Sequence, residues 1–328
     1  VRGPGVVTGR SGSIGNVFFV EKDFWPLNTV LYVKDFHGND PRFVYHLLRK
    51  FDLSRFASGT GVPTLNRNFV HDEPVNVPPL PEQRRIVGIL DEAFAGIATA
   101  KANAEKNLQN ARDLFESSLQ ALFRQRGMGW TDTTLQAVAD RTCSLSYGIV
   151  QPGEEWPGGL PVVRPTDLTT TIIGLDGLKR VNPTVAEAYK RTALQGNESL
   201  LCVRGSTGVV AMASPELKGA NVTRGIVPVR FDNSRVSPPL GYYLLRSTQV
   251  QDQIRKKTYG AALMQINIGE LRQIVIAVPP RQEQDAMVSR LDRLAAETER
   301  LELLYASRVH AVNELRTSLL HHAFTGQL

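Results

Sequence analysis

Residues 78–123 return without a gap as residues 279–324, and this echo at a distance of 201 residues constrains the chain more than any other feature. Glu82 and Gln83 recur as Glu283 and Gln284, Leu119 as Leu320, and Phe123 as Phe324; each copy opens on a double proline. Steps of four and three from Ile86 visit Leu90, Ala93, Ile97, Ala100, Ala104, Asn107, Ala111, Leu114, Ser118 and Ala121. The same steps from Met287 visit Leu291, Leu294, Thr298, Leu301, Tyr305, Arg308, Val312, Leu315, Leu319 and His322. An apolar repeat of 3.5 residues predicts two long helices that pack on each other as a coiled coil, because a lone globular helix would let its stripe drift at 3.6. Asn107 and Arg308 fall at the same step, either as buried polar residues that set register or as half-exposed positions at the coil edge.

Helix signals agree with this reading. Pro81 and Glu82 suit a first turn, where a missing N–H costs nothing and negative charge meets the helix dipole, and Gly127 and Gly129 stop the first helix. About 40 residues at about 1.5 Å each make a rod on the order of 60 Å. A whole globule follows the linker at residues 124–129, so the second helix is expected to return antiparallel, with a globule at each end.

The segments ahead of the two helices repeat as well. In the first, short β runs at residues 17–20, 30–33 and 75–77 flank a helical pattern at 43–48. Gly12-Ser13-Ile14-Gly15 returns as Gly205-Ser206-Thr207-Gly208, and Asn28 as Asn221, at a distance of 193. Tyr45-His46-Leu47-Leu48-Arg49 returns as Tyr242-Tyr243-Leu244-Leu245-Arg246 at 197, and Asn66 as Asn267 at 201. Small loop insertions account for the growth, as expected of a duplicated domain. The second globule carries a block ahead of Gly205, with an amphipathic start at 135–139, a turn at Tyr147-Gly148 and a strand-like run at 160–167; only 11 residues precede Gly12. The first globule is therefore expected to lack roughly the first two-fifths of its fold, and the opening Val1-Arg2-Gly3-Pro4 reads as that of an N-terminally incomplete chain.

Composition narrows the function. Two distant cysteines, Cys143 and Cys202, suggest neither a disulfide framework nor a zinc site, which favours a reducing cytoplasmic setting, and no apolar run approaches a membrane span. The net charge is +6. Residues 82–123 hold five basic against six acidic side chains and residues 283–323 five against seven, so the positive charge sits in the globules, the footprint of a protein that meets a polyanion.

No phosphate loop, H-E-x-x-H motif or nucleophile elbow occurs. The six histidines (His37, His46, His71, His310, His321, His322) are read as surface residues. Ser237-Pro238-Pro239-Leu240 lacks the aromatic of a base-flipping loop and is read as a loop before a helix, and the Gly-Ser motifs as tight turns between strands. The globules do offer polar, basic loop residues suited to DNA. Arg10, Ser11 and Ser13 lie in the first; Arg164, Thr166, Arg204, Ser206 and Thr207 in the second, followed by Lys256, Lys257 and Gln265. Arg can bridge guanine acceptors and Gln can pair with the adenine edge, while Lys, Ser and Thr anchor phosphates.

Residues 78–86 (PPLPEQRRI), their echo at 279–284, the domain start from Trp130 to Leu135 with residues 160–167, and the tail LLHHAFTGQL at 319–328 resemble the DNA-specificity subunits of Type I restriction–modification systems. The resemblance spans essentially the whole chain. It implies an α+β architecture of two target-recognition domains, the first incomplete, separated by two long helices forming an antiparallel coiled coil. The domains would be residues 1–77, a spacer helix at 78–126, a second recognition domain at 127–278, and a spacer helix and tail at 279–328. It further implies a non-catalytic chain that reads a bipartite site in double-stranded DNA. Two modification methyltransferase subunits would dock on the helices and methylate adenine N6 with S-adenosylmethionine, and separate restriction subunits would use ATP and magnesium, so this chain would hold no cofactor. Ile86, Leu90, Ile97, Asn107, Leu114, Leu291, Leu294, Leu301, Arg308, Leu315 and Phe324 are the expected coil and partner interface. Two other readings stand beside this one: the specificity end of a fused restriction–modification enzyme, and a coiled-coil scaffold without DNA selectivity.

Overall fold

Runs of β-branched residues separated by turns that demand left-handed backbone open the chain. β1 (Gly5–Gly9), β2 (Val17–Val20) and β3 (Val30–Tyr32) form an antiparallel sheet in the order β2-β1-β3. The β1–β2 turn places Gly12 and Gly15 at φ 78° and 88°, a region that a side chain reaches only with strain. Asp40 caps α1 (Pro41–Lys50) by accepting from the N–H groups of Arg42 and Phe43, with Pro41 at the first helical position. A short hairpin, β4 (Ala57–Ser58) and β5 (Thr64–Leu65), leads to α2 (Arg67–His71) and then to α3 (Leu80–Arg124).

The second copy begins with a block of its own: β6 (Thr131–Thr134), α4 (Leu135–Val138), β7 (Leu160–Val163), β8 (Ile172–Ile173), β9 (Lys179–Val181) and α5 (Pro183–Ala186). Then come β10 (Ser199–Cys202), β11 (Val210–Ala213), β12 (Asn221–Val222), β13 (Ile226–Val229), α6 (Pro238–Arg246), α7 (Thr248–Lys257), β14 (Thr258–Tyr259), β15 (Gln265–Ile266), α8 (Ile268–Arg272), β16 (Val275–Val278) and α9 (Arg281–Ala323). The computed structural model describes residues 1–59, 62–142, 145–261 and 263–328. Cys143 lies outside them; Cys202 is buried and free.

The chain divides into two units, Val1–Ala111 with Arg300–Leu328, and Arg112–Glu299. In the first, Phe43 packs with Ile86 and Leu90 from the start of α3 and with Leu320 and Ala323 from the end of α9. In the second, Phe115, Leu119 and Phe123 from the end of α3 share a core with Met287 and Leu291 from the start of α9, together with Leu240, Leu244 and Ile276. Opposite helix ends meet in each unit, so the pairing is antiparallel in both.

Strand registers show that the sheets are duplicates. Val6 faces Phe19 as Ser199 faces Met212, a distance of 193, and Gly9 faces Val30 as Cys202 faces Ile226. The bridges Ser11–Thr64 and Arg204–Gln265 are equivalent. Asn66 and Asn267 recur because each caps a helix, accepting from the N–H of Asn68 and of Gly269.

Three expectations need correction. Residues 75–77 form no strand. Their counterparts in β16 pair antiparallel with β6, and an isolated run without such a partner leaves its backbone to solvent. The apolar stripe also drifts. Past Ala111 the buried positions are Phe115, Leu119 and Phe123, and Leu114 is exposed; near the end of α9 they are Leu320 and Ala323, with Arg308 and Leu315 exposed. Between residues 86 and 111 the 3.5 step marks buried or half-buried positions except Ala100, which is exposed; beyond them the face turns because it also packs against globule side chains such as Tyr243, whose ring centroid lies 6.3 Å from that of Phe115. Asn107 is half-buried. The third correction is His46, which is buried, because α1 presents it to Asp91 on α3, with Nε2 at 3.0 Å from Oδ1.

Candidate nucleic-acid interface

Several backbone ties gather loops of the second unit at one place. The turn between β10 and β11 places Gly205 and Gly208 at φ 86° and 97°, and the Gly205 N–H donates to the Met264 carbonyl at 2.8 Å. Thr207 Oγ1 donates to the same carbonyl, and Arg204 bridges Gln265. The Tyr147 hydroxyl donates to the Ile266 carbonyl at 3.0 Å; burial pushes this phenol above its usual value, so it stays a donor. The Val203 N–H donates to the Gly225 carbonyl, and a Cβ on Gly225 would meet Pro165 Cγ at 2.4 Å, so the 165–167 turn comes close too.

Arg204, Thr207 and Gln265 thus lie together, with Ser206 exposed beside them and Thr166 exposed on the neighbouring turn. Arg204 Nε is buried without a hydrogen-bond partner. Two expected contacts are already engaged. Arg164 donates through Nη2 to Asp167 at 2.8 Å, which holds its guanidinium firmly charged, and Lys257 pairs with Glu270. Lys256 is exposed at the end of α7.

The first unit repeats the tie. The Leu65 N–H donates to the Arg10 carbonyl at 2.8 Å, equivalent to the bond from Ile266 to Val203 at 3.0 Å. Arg10 is exposed and, with Ser58, Thr64, Asn66, Arg67 and Asn68, lines a cleft of about 400 Å³. Ser11 sits at the bridge to Thr64, and Ser13 is exposed in the glycine turn. Sequence reading missed Arg67, which lines this cleft, and the hydrogen bond by which Tyr147 ties the turns of the second unit.

It also missed why two glutamines recur. Gln83 accepts from the Asp40 N–H at 2.9 Å and donates to the Pro78 carbonyl at 2.8 Å. Gln284 accepts from the Ser237 N–H at 2.8 Å and donates to the Pro279 carbonyl at 3.1 Å and the Arg235 carbonyl at 2.7 Å. Each glutamine thereby locks the start of a long helix to the N-cap of an equivalent globule helix, α1 in the first unit and α6 in the second. A second lock lies two turns on: His46 to Asp91 in one unit, and Tyr243 hydroxyl to Asp292 at 2.6 Å in the other. Ser237 thus serves as the N-cap of α6, whose first residues are Pro238 and Pro239, so the Ser-Pro-Pro run starts the helix itself. Among the described residues no group of His, Cys, Asp and Glu side chains gathers to hold a metal, and no helix is long and apolar enough to cross a membrane.

Each unit thus carries an α+β globule packed against antiparallel helix ends, with polar and basic turns at equivalent positions of the two copies. The family model described as Type I restriction modification DNA specificity domain matches residues 2–109 and 149–304, and the chain belongs to that family. It is similar to the Type I restriction enzyme EcoBI specificity subunit of Escherichia coli, 24% identical over 311 residues covering 88% of this chain and 65% of that protein. The chain therefore spans just under two thirds of the curated relative's length. Its fold matches a structure solved to explain complex assembly and conformational transition of a Type I restriction–modification system (TM-score 0.79, 19% identity, 100% of this chain and 83% of that one). It also matches the HsdS subunit from Thermoanaerobacter tengcongensis (TM-score 0.61, 19% identity, 100% and 82%).

Proposed function

We propose that the chain is a non-catalytic DNA-reading subunit: each globule reads one half of a bipartite site, and the paired helices set the spacing and dock the modification and restriction subunits. The observation that carries this reading is the duplicated tie between the glycine turn and the following hairpin, which brings Arg204, Thr207 and Gln265 together in one unit and, in the other, pairs Ser11 with Thr64 at the equivalent bridge with Arg10 beside them. Arg and Gln at a turn suit base edges, and Ser, Thr and Lys suit phosphates. Arg10, Ser13, Thr166, Ser206 and Lys256 are exposed and available for such contacts, whereas Arg164 and Lys257 must first leave Asp167 and Glu270. S-adenosylmethionine, ATP and magnesium are assigned to the partner subunits.

The test is selection from a random duplex library by the chain assembled with modification subunits. Enrichment of two short motifs at a fixed separation, with affinity falling steeply as salt rises, is expected. Binding without base preference would refute the reading in favour of a plain scaffold. Insertion of seven residues into both helices at matched positions should change the separation and leave the motifs intact; altered motifs at an unchanged separation would refute the spacing role.

A further inference from the structure

The β14–β15 hairpin of the second unit puts apolar side chains where the surrounding turns are polar. Tyr259, Leu263 and Met264 are 51%, 45% and 43% exposed, although the turn beside them holds Arg204, Ser206 and Thr207. Exposed apolar residues are ordinary one at a time, but three at one tip call for a partner.

The tip is also fixed in place. Tyr259 pairs with Gln265, and Gly260 stands at φ 121°, where an added Cβ would meet the Leu263 carbonyl at 2.3 Å. The Met264 carbonyl accepts from the Gly205 N–H at 2.8 Å and from Thr207 Oγ1 at 3.2 Å. A Cβ on Gly205 would lie 3.9 Å from Leu263 Cδ1, so the apolar tip and the glycine turn form one surface. Arg224 is exposed, and its charge and that of Arg204 both act on the Tyr147 hydroxyl that ties this hairpin down. The first unit keeps the pattern at a distance of 201: Gly59 stands at φ 115°, and Val62-Pro63 take the places of Leu263-Met264.

We infer that this tip is an apolar wedge for duplex DNA: Leu263 and Met264 enter between adjacent base pairs and unstack them, beside the contacts made by the polar turn. The inference rests on the DNA-reading proposal. Phosphates and base edges offer hydrogen bonds that neither side chain can make, whereas base faces are apolar and become reachable once a step opens. A thymine methyl would take one such side chain and leave its neighbour in water. Leu, Met and Pro all serve as wedges in proteins that kink DNA, so the exchange of Leu-Met for Val-Pro between the copies changes the bulk of the tip and keeps its character. The arginines favour a nucleic acid over a protein groove, because they bring positive charge to the same spot. A tip already held by its backbone loses little freedom on insertion.

The test uses the chain assembled with modification subunits and its selected duplex, with 2-aminopurine placed in turn at each position of the two motifs. At least one step should brighten on binding the parent complex and stay quenched with Leu263→Ser/Met264→Ser, whose side chains are exposed, so that circular dichroism is unchanged. Selection of no duplex would overturn the DNA reading itself and this inference with it. Selective binding with equal brightening in parent and variant would overturn the wedge alone. So would failure of the folded variant to assemble, which would make the tip a protein contact. A loss of affinity reproduced by replacing thymine with uracil, with no brightening at any step, would make the tip a methyl reader and overturn the wedge as well.

Discussion

Gln284→Ala tests the coupling of globule and helix most directly. The side chain is 0% exposed and makes three hydrogen bonds, so its removal strands the Ser237 N–H and takes a donor from two carbonyls. An orphaned buried donor costs about 1–3 kcal/mol, and the carbonyls lose less because each can accept elsewhere. A loss of about 3–4 kcal/mol is expected, against about 0.5 kcal/mol for an ordinary surface change. Two units preclude a single two-state transition, so the assay is native-state hydrogen exchange of β10 and α6 amides, with β1 and β2 of the first unit as internal reference. Gln284→Glu puts a carboxylate against the same carbonyls. Those oxygens raise its folded pKa, so the variant is most stable below the ordinary glutamate pKa and loses stability as pH rises. A loss below about 1 kcal/mol for Gln284→Ala, or an equal fall of protection in the first unit, would refute the reasoning.

His46 gives the first unit a pH dependence that Tyr243 denies the second. Burial lowers the imidazole pKa against the pull of Asp91, with Arg42 and Arg49 adding to the decrease and the Tyr45 ring beside it. The folded state therefore favours neutral His46, and stability falls as pH drops below 6.5 through the lowered folded value. Exchange in α1, corrected for its intrinsic rate, should quicken from pH 7 to 5, and His46→Tyr should remove that dependence. Gly208→Ala should cost about 1–3 kcal/mol, because φ is 97° and the new Cβ would meet Gln251 Oε1 at 2.6 Å; thermal unfolding of the second unit reads it. Arg204→Ala should weaken DNA binding of the assembled complex by about 1–3 kcal/mol if the side chain reads a base, relaxing preference at one position. A uniform loss with a salt slope reduced by about one would assign it to a phosphate.

The register between the copies was legible because a gapless repeat survives on the surface of the sequence. Pro81, Glu82 and the glycines after Arg124 marked the first helix ends, and the Gly-Ser turns and Asn66 with Asn267 marked positions where backbone geometry restricts side-chain choice. The exceptions share one cause. Val75 and Val77 have a strand's composition and no strand, because a ladder needs a second chain segment. His46 looks like any helical histidine until α1 lies on α3. Leu114 and Phe115 are both apolar, and only the neighbouring globule decides which one is buried.

The sequence by itself determined that the chain is a duplicated globule and helix, because periodicity, capping and turn geometry are local and recur at set distances. Tertiary structure alone decided which side chains share a place. Arg204 meets Gln265 across 61 residues, and Gln284 meets Ser237 across 47. Such contacts depend on how strands register and helices pack, a sum of many weak interactions that no local pattern records.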